Sequence, residues 1–116
     1  MYMEDITMRF FIGIMEIAGV DRTFSDDGLR ALYSYLKREE NREGKEVELD
    51  PDLMGSIYVE YEDFYEFQKD YPDFESFEEL TNLKSKVGFT IFPVRSSRLD
   101  EDEPFIVDVE DVYEAM

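Results

Sequence analysis

The side chains able to do chemistry in this sequence are almost all carboxylates. Asp63, Glu66 and Asp70 recur at i, i+3 and i+7, a spacing that stacks them on one face of a helix. Glu60 and Glu62 form a close pair, and Asp100, Glu101, Asp102 and Glu103 follow one another directly. Paired carboxylates can share general acid and base work or hold metals for hydrolysis. With 30 Asp plus Glu, however, such pairs arise by chance. A calcium loop opening at Asp100 would need glycine at its sixth position and a bidentate glutamate at its twelfth, where the chain has Phe105 and Asp111. No dedicated metal site is expected. Ser25 and Ser76 have no histidine to activate them, because the chain contains none, and both stand where helix caps belong. The absence of cysteine removes disulfides, zinc thiolates and thiol nucleophiles. The six glycines are scattered singly, so there is no phosphate cradle or dinucleotide fingerprint. Nothing in this inventory makes a case for an enzyme or for a bound cofactor.

The distribution of charge is more informative than any pair. Twelve Lys plus Arg against 30 Asp plus Glu leave 116 residues with a formal charge of −18. Between residues 46 and 80 stand thirteen carboxylates and one base, Lys69, and the last seventeen residues add eight carboxylates and no base. Residues 30–45 are mixed, with Lys37, Arg38, Arg42 and Lys45 among Glu39, Glu40 and Glu43. Such a chain repels polyanions and anionic membranes, so neither nucleic acid nor a membrane is an expected direct partner. Carboxylates repeating about every 5 Å along a helix come close to the charge spacing of a nucleic-acid strand, about one per 3.4 Å of axis. They could occupy a basic groove evolved for phosphates. Against this stands the ordinary reading, in which an acidic face is simply solvated and serves solubility. Eight aromatics, Tyr58, Tyr61, Phe64, Tyr65, Phe67, Tyr71, Phe74 and Phe77, crowd the same region, mostly at core spacing; Tyr65 lies off the Phe64, Phe67 and Tyr71 face and is free to anchor a contact.

The elements that must position these groups follow from periodicity and caps. Phe10, Ile14, Ile17 and Ala18 make a helical stripe capped by Thr7, interrupted by Gly13 and ended by Gly19. A second helix opens at Ser25, with Phe24 stapled on Leu29 and Leu29, Leu32, Tyr33 and Leu36 inward, frays over residues 37–42 and stops at Gly44. Strands are expected at 45–49 and 54–61, a short helix at 63–71, a helix opened by a Ser76 to Glu79 capping box, and a closing antiparallel pair at 87–94 and 104–109. With 43% hydrophobic residues the chain can bury a core, and no linker or repeat divides residues 1–116. The fold class is α+β: one small domain of two N-terminal helices and a three- to four-stranded, mainly antiparallel sheet with a helical excursion between strands. Acidic Glu4 and Asp5 replace the basic start of a signal peptide, and the apolar run 10–14 is too short to span a bilayer, so a cytoplasmic protein is expected.

Thr23-Phe24-Ser25 with Gly-Leu-Arg-Ala-Leu-Tyr-Ser-Tyr-Leu, then Glu-Leu-Asp, Tyr-Val-Glu-Tyr-Glu-Asp, Glu-Phe-Gln-Lys-Asp-Tyr and Phe-Glu-Ser-Phe-Glu-Glu-Leu resemble a group of short acidic proteins of bacteriophages and mobile elements. The likeness covers residues 23–80 and departs at 53–58 and after Leu83. It implies an accessory product similar in kind to anti-CRISPR and antirestriction proteins, acting in the cytoplasm of a bacterial host. The expected partner is a basic, nucleic-acid-handling defence protein, such as a CRISPR effector or restriction component. Glu60, Glu62, Asp63, Tyr65, Glu66, Asp70, Asp73, Glu75, Glu78 and Glu79 form the expected partner-binding face. The alternative is a phage assembly protein whose acidity serves solubility and a subunit interface; a metal-dependent hydrolase comes third.

Overall fold

The computed structural model describes residues 2–20, 23–44 and 46–116; Met1, Asp21, Arg22 and Lys45 lie outside them. A 3-10 turn, Met3–Asp5, leads to α1 (Met8–Ile17), α2 (Asp26–Glu43), α3 (Pro51–Ile57), β1 (Tyr58–Tyr61), α4 (Phe64–Asp70), α5 (Phe77–Val87), β2 (Ile91–Pro93), β3 (Phe105–Asp108) and α6 (Val109–Ala115). The sheet is antiparallel with order β1-β3-β2, so β3 is central. This is the α+β fold expected, with α4 and α5 as the helical excursion between strands.

The pleat of the sheet builds two cores. Phe92 and Ile106, paired across β2 and β3, join α1, α2 and α3 on one face, where Met3, Phe11, Met15, Leu29, Leu32 and Leu36 are buried. Ile91, Phe105 and Val107 point the other way, into a cluster with Phe64, Phe67 and Phe74, Leu80 and Val112. Helices cover both faces, which explains why β3 reads as a continuous apolar run and not an alternating one. Phe67 anchors the second core, within 5.0 to 6.1 Å of the rings of Tyr61, Phe64, Tyr71, Phe74 and Phe105.

Several elements differ from the sequence expectation, each for a local reason. Thr7 caps α1, accepting a hydrogen bond from the Phe10 N–H at 3.2 Å, and Gly19 follows it at φ 80°. The buried stripe, however, is Phe11 and Met15, while Phe10 is 51% and Ile17 90% exposed. The helix is apolar on two faces, so periodicity alone selects the wrong one. α2 does not fray after Lys37: it runs to Glu43, held by a Lys37 Nζ bond to the Met3 carbonyl at 2.8 Å, and ends on left-handed Gly44. The strand expected at 45–49, whose first residue lies outside the described residues, is a single bridge between Tyr2 and Glu48. The expected strand 54–61 begins as α3, because Asp50 caps the Leu53 N–H at 3.1 Å and Pro51 preorganises the first turn. The strand expected from Val87 starts at Ile91, since α5 continues to Val87 and needs Gly88, at φ 74°, to turn back. α6 was not expected; Asp108 caps it through the Glu110 and Asp111 N–H groups.

Candidate functional site

The acidic excursion divides into carboxylates with work inside the fold and carboxylates with none. Glu60 belongs to the first group. The β1 pleat turns it to the α2 side of the sheet, opposite Tyr61, where its two oxygens accept from the Ser25 N–H at 2.9 Å and the Ser25 hydroxyl at 2.8 Å. Ser25 Oγ in turn accepts from the Gly28 N–H at 2.9 Å, so Glu60 buttresses the cap of α2 from another element. A Cβ on Gly28 would overlap the Glu60 carboxylate, which gives this glycine a structural purpose. Glu60 is therefore withdrawn from the expected partner-binding face.

Asp63 and Asp70 also have internal partners. Asp63 caps α4, taking the Glu66 N–H at 2.9 Å, and Asp70 accepts the Tyr61 hydroxyl at 2.9 Å, tying the end of α4 to β1. Burial, and then the bond to Asp70, push the Tyr61 phenol well above the ordinary tyrosine range. Glu79 is half-buried and accepts from the Glu75 N–H at 3.2 Å. It does so without the reciprocal bond of a capping box, since the Ser76 side chain makes no cap bond. Asp70 is exposed and Asp63 and Glu66 are half-buried, so the stripe faces solvent in part, but Asp63 and Asp70 are not freely substitutable.

Glu62, Tyr65, Asp73, Glu75 and Glu78 are exposed, Tyr65 by 64%. Glu66 is half-buried, and its carboxyl is raised by desolvation first and then by the charges of Glu62 and Asp63. These three are brought together around the first turn of α4. The turn containing Asp100 to Glu103 joins them, because the Glu101 carbonyl accepts the Phe64 N–H at 2.8 Å and satisfies a free donor of that turn. Asp100 orders the turn itself, taking the Asp102 N–H at 2.9 Å on its side chain and the Glu103 N–H at 3.2 Å on its carbonyl. The acids of the 100–103 turn are thereby held beside the start of α4. No local sequence signal announces this, since the contact is a main-chain bond between residues 37 positions apart.

Among the described residues, no group of three or more Asp or Glu is arranged to hold a metal ion. No helix among them is long and apolar enough to cross a membrane. The site is an acidic surface, hydrogen-bonded across two segments and carrying the exposed Tyr65, with the chemistry to meet a basic counterpart. Comparison with protein-family models, curated proteins and solved structures finds no match.

Proposed function

We propose that this protein is a non-enzymatic inhibitor of a basic, nucleic-acid-handling defence protein, such as a CRISPR effector or restriction component, whose groove it occupies through the acidic face. The supporting observation is the Phe64 to Glu101 hydrogen bond, which joins the carboxylates around α4 to those of residues 100–103 in one ordered surface. An array ordered before binding loses less entropy on docking than a flexible tail would. The binding face is revised to Glu62, Tyr65, Glu66, Asp73, Glu75 and Glu78 with Asp100 to Glu103; Glu60, Asp63, Asp70 and Glu79 support it from within. Capture of the target from a bacterial host lysate, followed by displacement of a labelled oligonucleotide from it, tests this reading. Competition that weakens steeply with salt is expected. Full-affinity binding of oligonucleotide and protein together would exclude direct mimicry.

A second reading has its own observation. The outer face of α1 carries Phe10, Ile14 and Ile17, with Ile17 90% exposed, and this favours the assembly protein with an apolar subunit interface. Salt-resistant self-association lost on Ile17→Glu would select it.

A further inference from the structure

In a chain with 12 bases and 30 carboxylates, cations are expected to be neutralised by neighbours. Three are not. Arg30 and Arg38 on α2 and Lys84 on α5 have no carboxylate within ion-pair distance among the described residues, and all three line one groove of about 1030 Å³. The groove runs between α2 and β2, with Tyr35 stacked on Phe92 at 4.4 Å between ring centroids. Arg42 also lines it, bonded to Glu39 at 2.8 Å. The rest of the surface is overwhelmingly acidic, so this is a local reversal of sign.

One wall of the groove is an open sheet edge. Among the described residues β2 pairs only with β3. The Thr90 carbonyl accepts the Asp108 N–H and the Val94 N–H donates to the Pro104 carbonyl, both at 3.2 Å. By alternation, the main-chain groups of Ile91 turn away from β3 toward the groove. Pro93 offers no N–H, so the edge is too short to recruit strands indiscriminately, and side-chain charge must decide what pairs there.

We propose that this groove binds an extended acidic peptide segment of a partner protein, which pairs with the Ile91 main chain and sets carboxylates against Arg30, Arg38 and Lys84. The spacing fits. Arg30 and Arg38 are about 12 Å apart along the helix axis, and carboxylates four residues apart on an extended strand span about 13 Å. A polynucleotide fits less well, because a chain of phosphates leaving the groove would run along the carboxylate-rich surface. A peptide can confine its charge to the few positions that meet cations.

The probe is a labelled peptide, Glu-Val-Thr-Val-Glu, followed by fluorescence anisotropy against the full chain. Saturable binding is expected, lost when both glutamates are replaced by lysine, with the Ile91 amide among the shifted resonances in a nitrogen-edited spectrum. Arg30→Gln with Arg38→Gln, both exposed positions, should weaken binding about tenfold or more, and Lys84→Gln on the opposite wall should weaken it without touching α2. Circular dichroism confirms folding of each variant. Absence of saturation, equal binding by folded variants, an unmoved Ile91 amide, or tighter competition by a short single-stranded oligonucleotide would each overturn the proposal.

Discussion

Gly28→Ala offers a sharp test of the contact between β1 and α2. Replacing a glycine inside a helix by alanine ordinarily stabilises by about 1 kcal/mol. Here the new methyl would occupy the space of the Glu60 carboxylate, which must swing away. That movement loses two hydrogen bonds to Ser25, about 1 kcal/mol each, and a charge at the positive end of α2 worth about 0.3 to 1 kcal/mol. The propensity gain is outweighed, and Gly28→Ala should destabilise by about 1.5 kcal/mol, or about 6 °C in Tm for a domain of this size. Glu60→Ala alone should cost about 2.5 kcal/mol. With Glu60 already truncated, Gly28→Ala has nothing to displace and should stabilise by about 1 kcal/mol. Urea denaturation of the four proteins closes the double-mutant cycle, and an unchanged slope shows that the midpoints report stability. The same sign for Gly28→Ala in both backgrounds would refute the cap buttress.

Other expectations follow from the same geometry. Asp63→Lys with Asp70→Lys removes the α4 cap and the Tyr61 partner and should cost about 2 kcal/mol by urea melt; Glu62→Lys, Asp73→Lys and Glu78→Lys each stay within about 0.5 kcal/mol while together they abolish capture of the target. Gly13→Ala, whose Cβ meets open space in α1, should stabilise by about 0.5 to 1 kcal/mol in thermal melts. Burial, then Asp111, raise the Asp108 carboxyl above its unfolded value, so its ionisation destabilises the fold as pH climbs through the carboxylate range; Tm should rise on mild acidification, and Asp108→Asn, which keeps the cap, should flatten that slope. Burial likewise raises the phenols of Tyr58 and Tyr61, so the stability held by their neutral forms is lost above about pH 10, and ultraviolet titration should show them ionising only as the protein unfolds.

Where a cap and a periodic face coincide, local sequence was enough to place an element. Ser25 with Leu29, Leu32 and Leu36 defines α2; for α4 the Phe64 and Phe67 face placed the helix, while Asp63, read as the first acid of its outer face, is its cap. Failure came where two patterns overlap. Met54 to Ile57 is helical because Asp50 and Pro51 upstream start a helix, a stronger local constraint than the β-branched residues that follow. Val87 prolongs α5 because a glycine stop stands immediately after it. In the candidate site, Tyr65 was legible as an aromatic off the buried face, and it is exposed. Glu60 was not legible as a structural residue: its partner lies 35 positions earlier, on an element whose packing no spacing rule reveals.

The value of the structure for function lies in separating carboxylates the fold uses from those it does not. Asp50, Asp63 and Asp108 cap α3, α4 and α6. Glu40 is buried and accepts the Val47 N–H at 3.0 Å, Glu60 supports the α2 cap, and Asp111 accepts the Thr90 N–H at 2.8 Å. For these positions the negative charge is incidental to an acceptor that folding requires. No such account covers Glu62, Asp73 or Glu78, which stand exposed on the excursion, or the four consecutive acids of the 100–103 turn, of which only Asp100 orders the loop with its side chain. Solubility would be served equally by acids spread over every face. Instead Glu62 and the acids of the 100–103 turn stand beside one main-chain bond, while Arg30, Arg38, Arg42 and Lys84 line a different groove. Mutual repulsion within the acidic surface costs stability that dispersal would avoid, so the arrangement is better explained by something that meets it.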